Sequence, residues 1–314
     1  MERGLHQFFA VAETGSISAA AKRLNVTQPT ITVNIRNLEE KYQVPLFERN
    51  PRGMVLTPFG SILFEKTRIM ARLEAQASRE IENRRLGAGQ LIGIGCGHAW
   101  WPLFVREAVE NLSNDMPSIS VSVENGSNLH CMWKLLAGEV MLSVGHRIPN
   151  LAPGVGAEFT SLFRVTEGHF VAKGHPLLAR NCTIDDLAGL YWINSVPTDR
   201  QYSEILTVSE DNKYERISNL SGCPTYSSNS LLTCADMVRQ TQGYIVFPLD
   251  MAAKLEELGL VPLLLEDEPD RNEVGIYVLS ERQKDPTLVS LVDCISASAK
   301  HYVSTRRNEI LKGF

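Results

Sequence analysis

The stretch SISAAAKRLNVTQPTITVNIRNL, at residues 16–38, indicates two helices joined by a short turn. Its three consecutive alanines, at 19–21, favour a helix that a second helix can approach closely. Thr27 is a favourable N-cap residue, and Pro29 fits a first helical turn because its missing N–H group is not needed there. This order of elements is the helix-turn-helix layout, in which the second helix enters the major groove of DNA. The predicted buried stripe of that helix consists of apolar residues at helical spacing, namely Ile31, Ile35 and Leu38.

The opposite face of the second predicted helix carries side chains that hydrogen-bond base edges and phosphates. Amides, hydroxyls and a guanidinium group lie between the apolar residues, which is the pattern expected of a helix that reads DNA. The candidate DNA contacts in this stretch are Ser18, Thr27, Gln28, Pro29, Thr30, Thr32, Asn34 and Arg36.

A longer stretch, Phe8–Gly60, resembles the LysR-type transcriptional regulators. The matching pieces are FFAVAETGSISAAAKRLNVTQPTIT and IRNLEEKYQVPLFERNPRGMVLTPFG, with TQPTIT, LFER and LTPFG in the order and spacing of the family. The resemblance implies a winged helix-turn-helix domain over residues 1–60, with double-stranded DNA as its partner and a wing hairpin at Val44–Leu56. It also implies that Arg49 and Arg52 lie at the wing tip, beside phosphates or the minor groove.

Two positions of the second helix depart from the family pattern. Val33 and Asn37 stand where the family often has a cation. Fewer cations imply fewer phosphate contacts, so we expect DNA binding to depend less steeply on salt concentration than is usual.

The charge of the chain is unevenly distributed. A net charge of −5 would be unusual for a DNA-binding protein, but residues 1–86 hold 13 Lys and Arg against 9 Asp and Glu, a net of +4, which leaves −9 for residues 87–314. This asymmetry favours an N-terminal part that faces DNA and a remainder that does not.

Length and composition indicate a soluble protein of several domains. A chain of 314 residues predicts two or three domains, and 44% hydrophobic residues is ordinary for a protein that buries cores. The sequence has neither an apolar run of about eighteen residues nor a charged-then-apolar leader, which argues against a membrane span and a secretory signal. We therefore expect a cytoplasmic protein whose cysteines are free thiols.

Thr57 and Pro58 predict the start of another long helix, a linker over residues 58–88. A helix of this length with no globular body of its own needs a partner, and the same helix of a second subunit is the simplest one. We therefore expect a homodimer through residues 58–86, which also suits a roughly palindromic DNA site. The alternative is a helix packed on its own C-terminal domain. The predicted contact face consists of Ile62, Ile69, Leu73, Ala77 and Ile81.

After the glycine-rich residues 87–89, which predict a hinge, short strands alternate with helices. The strands LIGIGCG, ISVSVENGS and VMLSVGHR flank the helices WPLFVREAVENLSNDMPS and LHCMWKLLAGE, which predicts a parallel sheet with right-handed crossovers. Residues 162–177 predict a pair of strands. In this part we expect Trp133 in the core, and His169 and His175 at the surface.

Read with the LysR resemblance, this half is similar to the periplasmic binding proteins, which implies an effector-binding domain at 90–303 with two subdomains around a cleft. Subdomain one would comprise 90–161 and 268–300, and subdomain two would comprise 162–267. The predicted fold is thus α+β multidomain, with an N-terminal winged helix-turn-helix, a long linker helix and a C-terminal α/β periplasmic-binding-protein-like domain. The resemblance further implies a homotetramer, with RNA polymerase as a candidate partner. One departure is Val140–Met141, where the family commonly has an Asp before the strand.

Ligands of open α/β sheets bind beyond the carboxyl ends of the strands, at helix N-termini, where free N–H groups favour an anion. Positive charge from His98, His146 or Arg147 and an apolar wall from Trp100 and Tyr226 suit a small carboxylic acid as the effector. His98 serves equally well as a helix N-cap, and one of the adjacent tryptophans at 100–101 is expected in the core. The candidate effector-binding residues are Gly97, His98, Trp100, Ser127, Asn128, His146, Asn194, Ser195 and Tyr226.

Three other functions fit the sequence less well. The sequence has no GxSxG, HExxH, P-loop or helix-opening GxGxxG motif, which argues against an enzyme. Adjacent His130 and Cys131 cannot easily face one ion, so we predict no metal and no cofactor. The alternative that stays open is a redox-sensing regulator switched by oxidation of Cys182, Cys223 or Cys234, although buried, inert thiols are the commoner outcome.

Overall fold

The computed structural model describes residues 1–50, 53–85, 91–152, 155–195, 205–206 and 225–307. The chain divides into two compact units, Met1–Gly87 and Ala88–Phe314. The predicted glycine hinge at 87–89 lies outside the described residues.

Three short helices, a hairpin and a long helix form the first unit, which confirms the predicted winged helix-turn-helix and linker helix. The stripe residues Ile31, Ile35 and Leu38 are all buried in the core of this unit, together with Phe8 of the first helix. The elements are α1 (Arg3–Thr14), α2 (Ile17–Leu24), α3 (Gln28–Tyr42), β1 (Phe47–Asn50), β2 (Gly53–Leu56) and α4 (Pro58–Arg85).

Local chemistry fixes the turn between α2 and α3. The Thr27 hydroxyl accepts a hydrogen bond from the Thr30 N–H, so it caps α3 as the sequence predicts. Asn25 ends α2 in the left-handed conformation, with φ 52°, which an asparagine tolerates better than most residues. The chain therefore reverses within three residues and presents α3 at the surface.

The wing hairpin packs closely on the end of α1. Met54 N donates to Gly15 O at 2.8 Å. A Cβ atom on Gly53 would lie 2.5 Å from Gly15 O, and its φ of 123° also favours glycine, so no other residue fits this position without a shift.

Helix α4 begins where the sequence predicts, because the Thr57 hydroxyl accepts from Gly60 N at 3.0 Å. Several of its apolar side chains are exposed within the unit: Ile62 is 63%, Leu73 is 49% and Ile81 is 68% exposed. No helix in the part of the chain that the structure describes is both long and apolar enough to cross a membrane.

The second unit is built on a sheet whose strand order is β4-β3-β5-β11-β6-β9-β7-β8, with β10 also paired to β6. We call β3, β4 and β5 the first half of this sheet, and β7, β8 and β9 the second half. Each half is parallel within itself, as the strand–helix alternation predicts. The strands are β3 (Leu91–Cys96), β4 (Ser120–Asn125), β5 (Leu142–His146), β6 (Ala157–Ala172), β7 (Trp192–Asn194), β8 (Thr225–Ser227), β9 (Tyr244–Pro248), β10 (Leu260–Leu263) and β11 (Arg271–Leu279).

Two long antiparallel strands, β6 and β11, join the halves. Strand β6 has 16 residues, so the pair of strands predicted over 162–177 is wrong: one strand crosses from one half to the other without a turn. Its register against β11 shifts between Val274 and Gly275, where Val274 pairs with Phe163 and Gly275 with Ser161. This bulge bends the strand at the crossing.

Helices cover the sheet and complete the main core, which includes the buried Tyr302 after the last helix. Two predictions of burial are wrong. Trp133 is 42% exposed, because its neighbours Met132 and Leu135 face the core instead. His175 is buried, and its Nε2 lies 3.0 Å from the backbone oxygen of Gln242, the residue that follows the helix Leu231–Thr241. The helices are α5 (Arg106–Asp115, preceded by a π-helical turn at Trp101–Val105), α6 (Asn128–Leu136), α7 (Leu231–Thr241), α8 (Ala252–Glu257) and α9 (Pro286–His301).

Candidate nucleic-acid interface and ligand site

The N-terminal end of α3 presents polar side chains to solvent, as the sequence predicts. Gln28 is exposed and its Nε2 donates to the exposed Ser18 hydroxyl of α2 at 3.3 Å. The Thr32 hydroxyl donates to Gln28 O at 3.0 Å, and the hydroxyls of Thr27 and Thr30 lie 2.8 Å apart. Pro29 is exposed beside them. These groups form one continuous polar surface at the start of the helix, where a backbone N–H terminus also favours phosphate.

Two residues assigned to this face are placed differently. Asn34 is only half-exposed, because its Nδ2 donates at 2.7 Å to the side chain of Gln7, which is 2% exposed. Its placement on the exposed face is therefore corrected: it links α3 to α1. Arg36 is exposed but its Nε donates to Glu40 at 2.8 Å, so a phosphate would compete with that carboxylate.

The wing carries one described cation. Arg49 is exposed on β1, opposite Met54 of β2. Arg52 lies outside the described residues. Val33, which occupies a position where the family often has a cation, is 56% exposed on α3. An exposed apolar side chain on a recognition helix suits the methyl group of thymine, which sequence analysis did not consider.

In the second unit, the carboxyl ends of β3, β4 and β5 bring several predicted ligand residues together. Gly97 follows β3 and its N–H donates to Val144 O at 3.1 Å. Asn128 Oδ1 accepts from the N–H of His146, the last residue of β5, at 3.1 Å. The Ser127 hydroxyl accepts from His130 N at 2.9 Å and so caps α6. Its own proton remains able to donate to a ligand.

The second half of the sheet ends in a comparable edge. Asn194 ends β7 opposite Ser227 of β8, and half-buried Ser195 follows it. Tyr226 is 42% exposed and stacks on Tyr191, with ring centroids 5.3 Å apart.

The two edges meet at a residue pair that includes Glu167, which sequence analysis did not select. Glu167 of β6 pairs with Pro248, the last residue of β9, and its Oε1 lies 3.4 Å from His146 Nε2 at the end of β5. Asn272 Nδ2 also donates to that oxygen, at 3.1 Å. Strand β6 also carries Glu158, Arg164 and His169, so its sequence pattern did not single out Glu167.

At this edge burial disfavours the positive charge that was expected on the two histidines, whereas Arg147 keeps its charge. Burial lowers the pKa of His146 to about 4 and also lowers the pKa of His98. Arg147 is engaged by Glu273, with Nη1 and Oε2 2.9 Å apart. Although His146 and Glu167 lie within ion-pair distance, burial also raises the pKa of Glu167 to about 7, so burial favours the uncharged form of both side chains.

Trp100 does not line an open wall. It is 1% exposed and packs in the main core, with its ring centroid 5.0 Å from that of His146 and 6.3 Å from that of Phe163. Its predicted role as an apolar ligand wall is corrected: this buried ring packs edge-to-face against His146. Of the two adjacent tryptophans, Trp100 is therefore the one in the core, and Trp101 is half-buried.

Family models match both units. The model described as "Bacterial regulatory helix-turn-helix protein, lysR family" matches residues 3–61, and the "LysR substrate binding domain" model matches residues 87–300. The chain belongs to the LysR family. The matches correspond in order to the helix-turn-helix unit and to the sheet with two halves.

Individual members of the LysR family share about a third or less of their residues with this chain. The chain is 30% identical to the transcriptional regulator GbpR of Rhizobium radiobacter over 62% of its own length and 65% of that protein. It is 32% identical to TfdS of Cupriavidus pinatubonensis, over 50% of this chain and 52% of the relative, so the matched stretch spans between half and two thirds of these curated proteins. ArgP from Mycobacterium tuberculosis has the same fold, with a TM-score of 0.52 at 19% identity, over 94% of this chain and 96% of ArgP.

The cysteines of this LysR-family chain are poorly suited to oxidation where they are described. Cys96, Cys131, Cys182 and Cys234 are buried and Cys294 is half-buried, and burial raises the pKa of the Cys96, Cys234 and Cys294 thiols, which disfavours the reactive thiolate. Cys223 lies outside the described residues. Within the described ranges, no group of three or more His, Cys, Asp or Glu side chains is placed to hold a metal ion.

Proposed function

We propose that this chain is a sequence-specific DNA-binding transcriptional regulator whose activity is switched by a small-molecule effector bound between the two C-terminal subdomains. The proposal rests on one feature of each unit. In the first unit the start of α3 is capped, polar and exposed. In the second unit the carboxyl ends of the two halves of the sheet meet at the contact between His146 and Glu167. The first arrangement suits the major groove, and the second suits a small ligand.

DNA recognition is assigned to the start of α3 and to the wing. Gln28, supported by the Ser18 hydroxyl, is the best candidate for a base contact, because its amide can both donate and accept. Asn34 supports α1 instead, as its bond to Gln7 indicates. The remaining proposed DNA contacts are Thr27, Pro29, Thr30, Thr32, Arg36, Arg49 and Arg52.

The regulator is proposed to act as a homodimer through residues 58–86 and as a homotetramer through its C-terminal units. The exposed apolar side chains of α4 support the dimer, because a second α4 would remove them from water. RNA polymerase is a further proposed partner. Since the DNA of a bacterium lies in its cytoplasm, we expect the protein to act there.

The effector is proposed to be a small organic acid. The free N–H groups at the start of α6 and the Ser127 hydroxyl proton would receive its carboxylate, with His146 as a neutral hydrogen-bonding partner. Asn194, Ser195 and Tyr226 would contact it from the other edge. A ligand that touches both edges favours the closed arrangement only by its difference in affinity for the closed and open states.

A thermal-shift screen of small metabolite acids against the full chain tests this proposal, because a ligand that binds only the folded state raises its melting temperature. The shift should be lost in the combined variant Ser127→Ala, His146→Ala, Asn194→Ala. It should persist in the matched control Ser113→Ala, Asn114→Ala, His301→Ala, whose residues are exposed. A shift that survives the first variant would place the ligand elsewhere.

A further inference from the structure

Glu167 is largely buried, and its polar neighbours in the described ranges are the imidazole of His146 and the amide of Asn272 rather than a lysine or arginine. Its side chain is 12% exposed, and Oε1 accepts from Asn272 Nδ2 at 3.1 Å and lies 3.4 Å from His146 Nε2. Across the described ranges, no lysine or arginine forms an ion pair with it. A buried carboxylate without a cation is costly, because the protein does not replace the water that stabilises its charge.

The surroundings of Glu167 make this cost larger. Burial, with a smaller contribution from the nearby acids Asp270 and Asp250, raises the pKa of this carboxyl to about 7 even though the hydrogen bond from Asn272 lowers it. Asp250 itself accepts a hydrogen bond from the buried Tyr302 hydroxyl at 2.7 Å. His146 contributes no compensating charge, since burial lowers its pKa to about 4. Two further acids thus lie near Glu167, and no lysine or arginine among the described residues pairs with it.

The position of Glu167 makes it reachable by a ligand. It is paired with the last residue of β9 and contacts the last residue of β5, so it lies where the carboxyl edges of both halves meet. Its side chain and that of His146 keep 12% and 22% of their surface exposed. Strand ends of this kind are where open α/β sheets bind their ligands.

We propose that the effector carries a protonated amino group that binds the Glu167 carboxylate, so that the effector is an amino acid or a similar amino-bearing acid rather than a plain organic acid. This inference rests on the proposed function and adds one recognised group to it. The ligand ammonium supplies the cation that Glu167 lacks, and a charge-assisted hydrogen bond forms where solvent is largely excluded. The carboxylate of the same ligand would bind at the start of α6.

The test compares α-amino acids with the α-hydroxy acids of the same side chain, each titrated calorimetrically into the full-length chain. At least one amino acid should bind about tenfold or more tightly than its hydroxy partner, because the charged hydrogen bond is lost in the latter. Glu167→Gln should remove that preference. Glu158→Gln, an exposed position on the same strand, should keep it.

Each other outcome contradicts the inference. Equal or tighter binding of the hydroxy acids, an unchanged preference in Glu167→Gln, or no binding by any amino acid would overturn it. The first comparison uses the wild-type protein alone, so it stands even if Glu167→Gln fails to fold. Plain acids that bind at least as tightly as the amino acids, and whose binding is abolished by Ser127→Ala, His146→Ala, Asn194→Ala, would overturn this inference while leaving the proposed function intact.

Discussion

His146 Nε2 lies 3.4 Å from Glu167 Oε1, and this contact joins the end of β5 to the residue paired with the end of β9. Burial moves the two pKa values in opposite directions, that of His146 from 6.5 to about 4 and that of Glu167 from 4.5 to about 7. Both shifts favour the uncharged forms. The pair therefore links the protonation of the protein to the junction between the halves of its sheet.

Glu167→Gln should change how stability depends on pH. The folded protein binds the Glu167 proton more tightly than the unfolded chain does, so this contribution is full below pH 4.5 and is lost as the pH rises through about 7. The His146 contribution is full above pH 6.5 and is lost as the pH falls through about 4, so the two largely cancel in the wild type. In Glu167→Gln only the His146 contribution remains.

Urea unfolding at about pH 5 and about pH 7.5 measures this effect. The unfolding free energy of Glu167→Gln minus that of wild type should be up to about 3 kcal/mol larger at the higher pH than at the lower one. The exposed control Glu158→Gln should follow the wild type at both. If the stability difference between Glu167→Gln and wild type were the same at both pH values, the pKa of Glu167 would not change on folding.

Gln28→Ala should weaken binding to the specific DNA site by about tenfold or more, because a base contact contributes roughly 1–3 kcal/mol. Binding to competitor DNA should change much less, as fluorescence anisotropy with both DNAs can measure. Gln283→Ala, in the second unit, is the control. If binding to both DNAs fell equally, Gln28 would contact only the backbone.

Leu73→Asp should convert the proposed dimer to a monomer, because it would place a charge in the proposed apolar contact between two α4 helices. Leu73 is 49% exposed within its own unit, so the change should leave the fold of the monomer intact. Light scattering gives the mass directly. Ser78→Asp adds the same charge on another side of α4 and should stay dimeric; an unchanged mass for Leu73→Asp would refute the proposed contact.

Tyr302→Phe should destabilise the second unit by about 1–3 kcal/mol, since it removes a buried hydrogen bond to a carboxyl group. The Tyr302 hydroxyl donates to Asp250 at 2.7 Å, and both residues are buried. Tyr226→Phe, at an exposed position, should cost far less. Chemical denaturation measures the unfolding free energy of both variants. If Tyr302→Phe were as stable as Tyr226→Phe, the hydrogen bond to Asp250 would contribute nothing to stability.

The features that the sequence predicted well are local. The turn before α3 follows from the Thr27 cap and the spacing of Ile31 and Ile35, which depend on residues a few positions apart. The strand ends at Gly97 and His146 follow from the alternation of strands and helices. Such patterns need no knowledge of which distant residues meet.

The features that it missed depend on long-range contacts. Glu167 meets Asn272 across 105 positions, and Asn34 meets Gln7 across 27, so neither bond has a local signature. The low pKa of His146 likewise results from burial by residues far away in the chain, including Trp100, whose ring packs edge-to-face against it. Exposure and charge state at a site are tertiary properties, and the sequence pattern predicted only its position.

Selection of binding sites from random double-stranded DNA by the full-length chain tests the central claim most directly. The account predicts enrichment of one roughly palindromic site with half-sites about one helical turn apart, since a dimer presents two recognition helices at that spacing. Gln28→Ala should lose preference at specific positions of that site. Recovery of sequences with no common site would contradict the claim that this chain is a sequence-specific regulator.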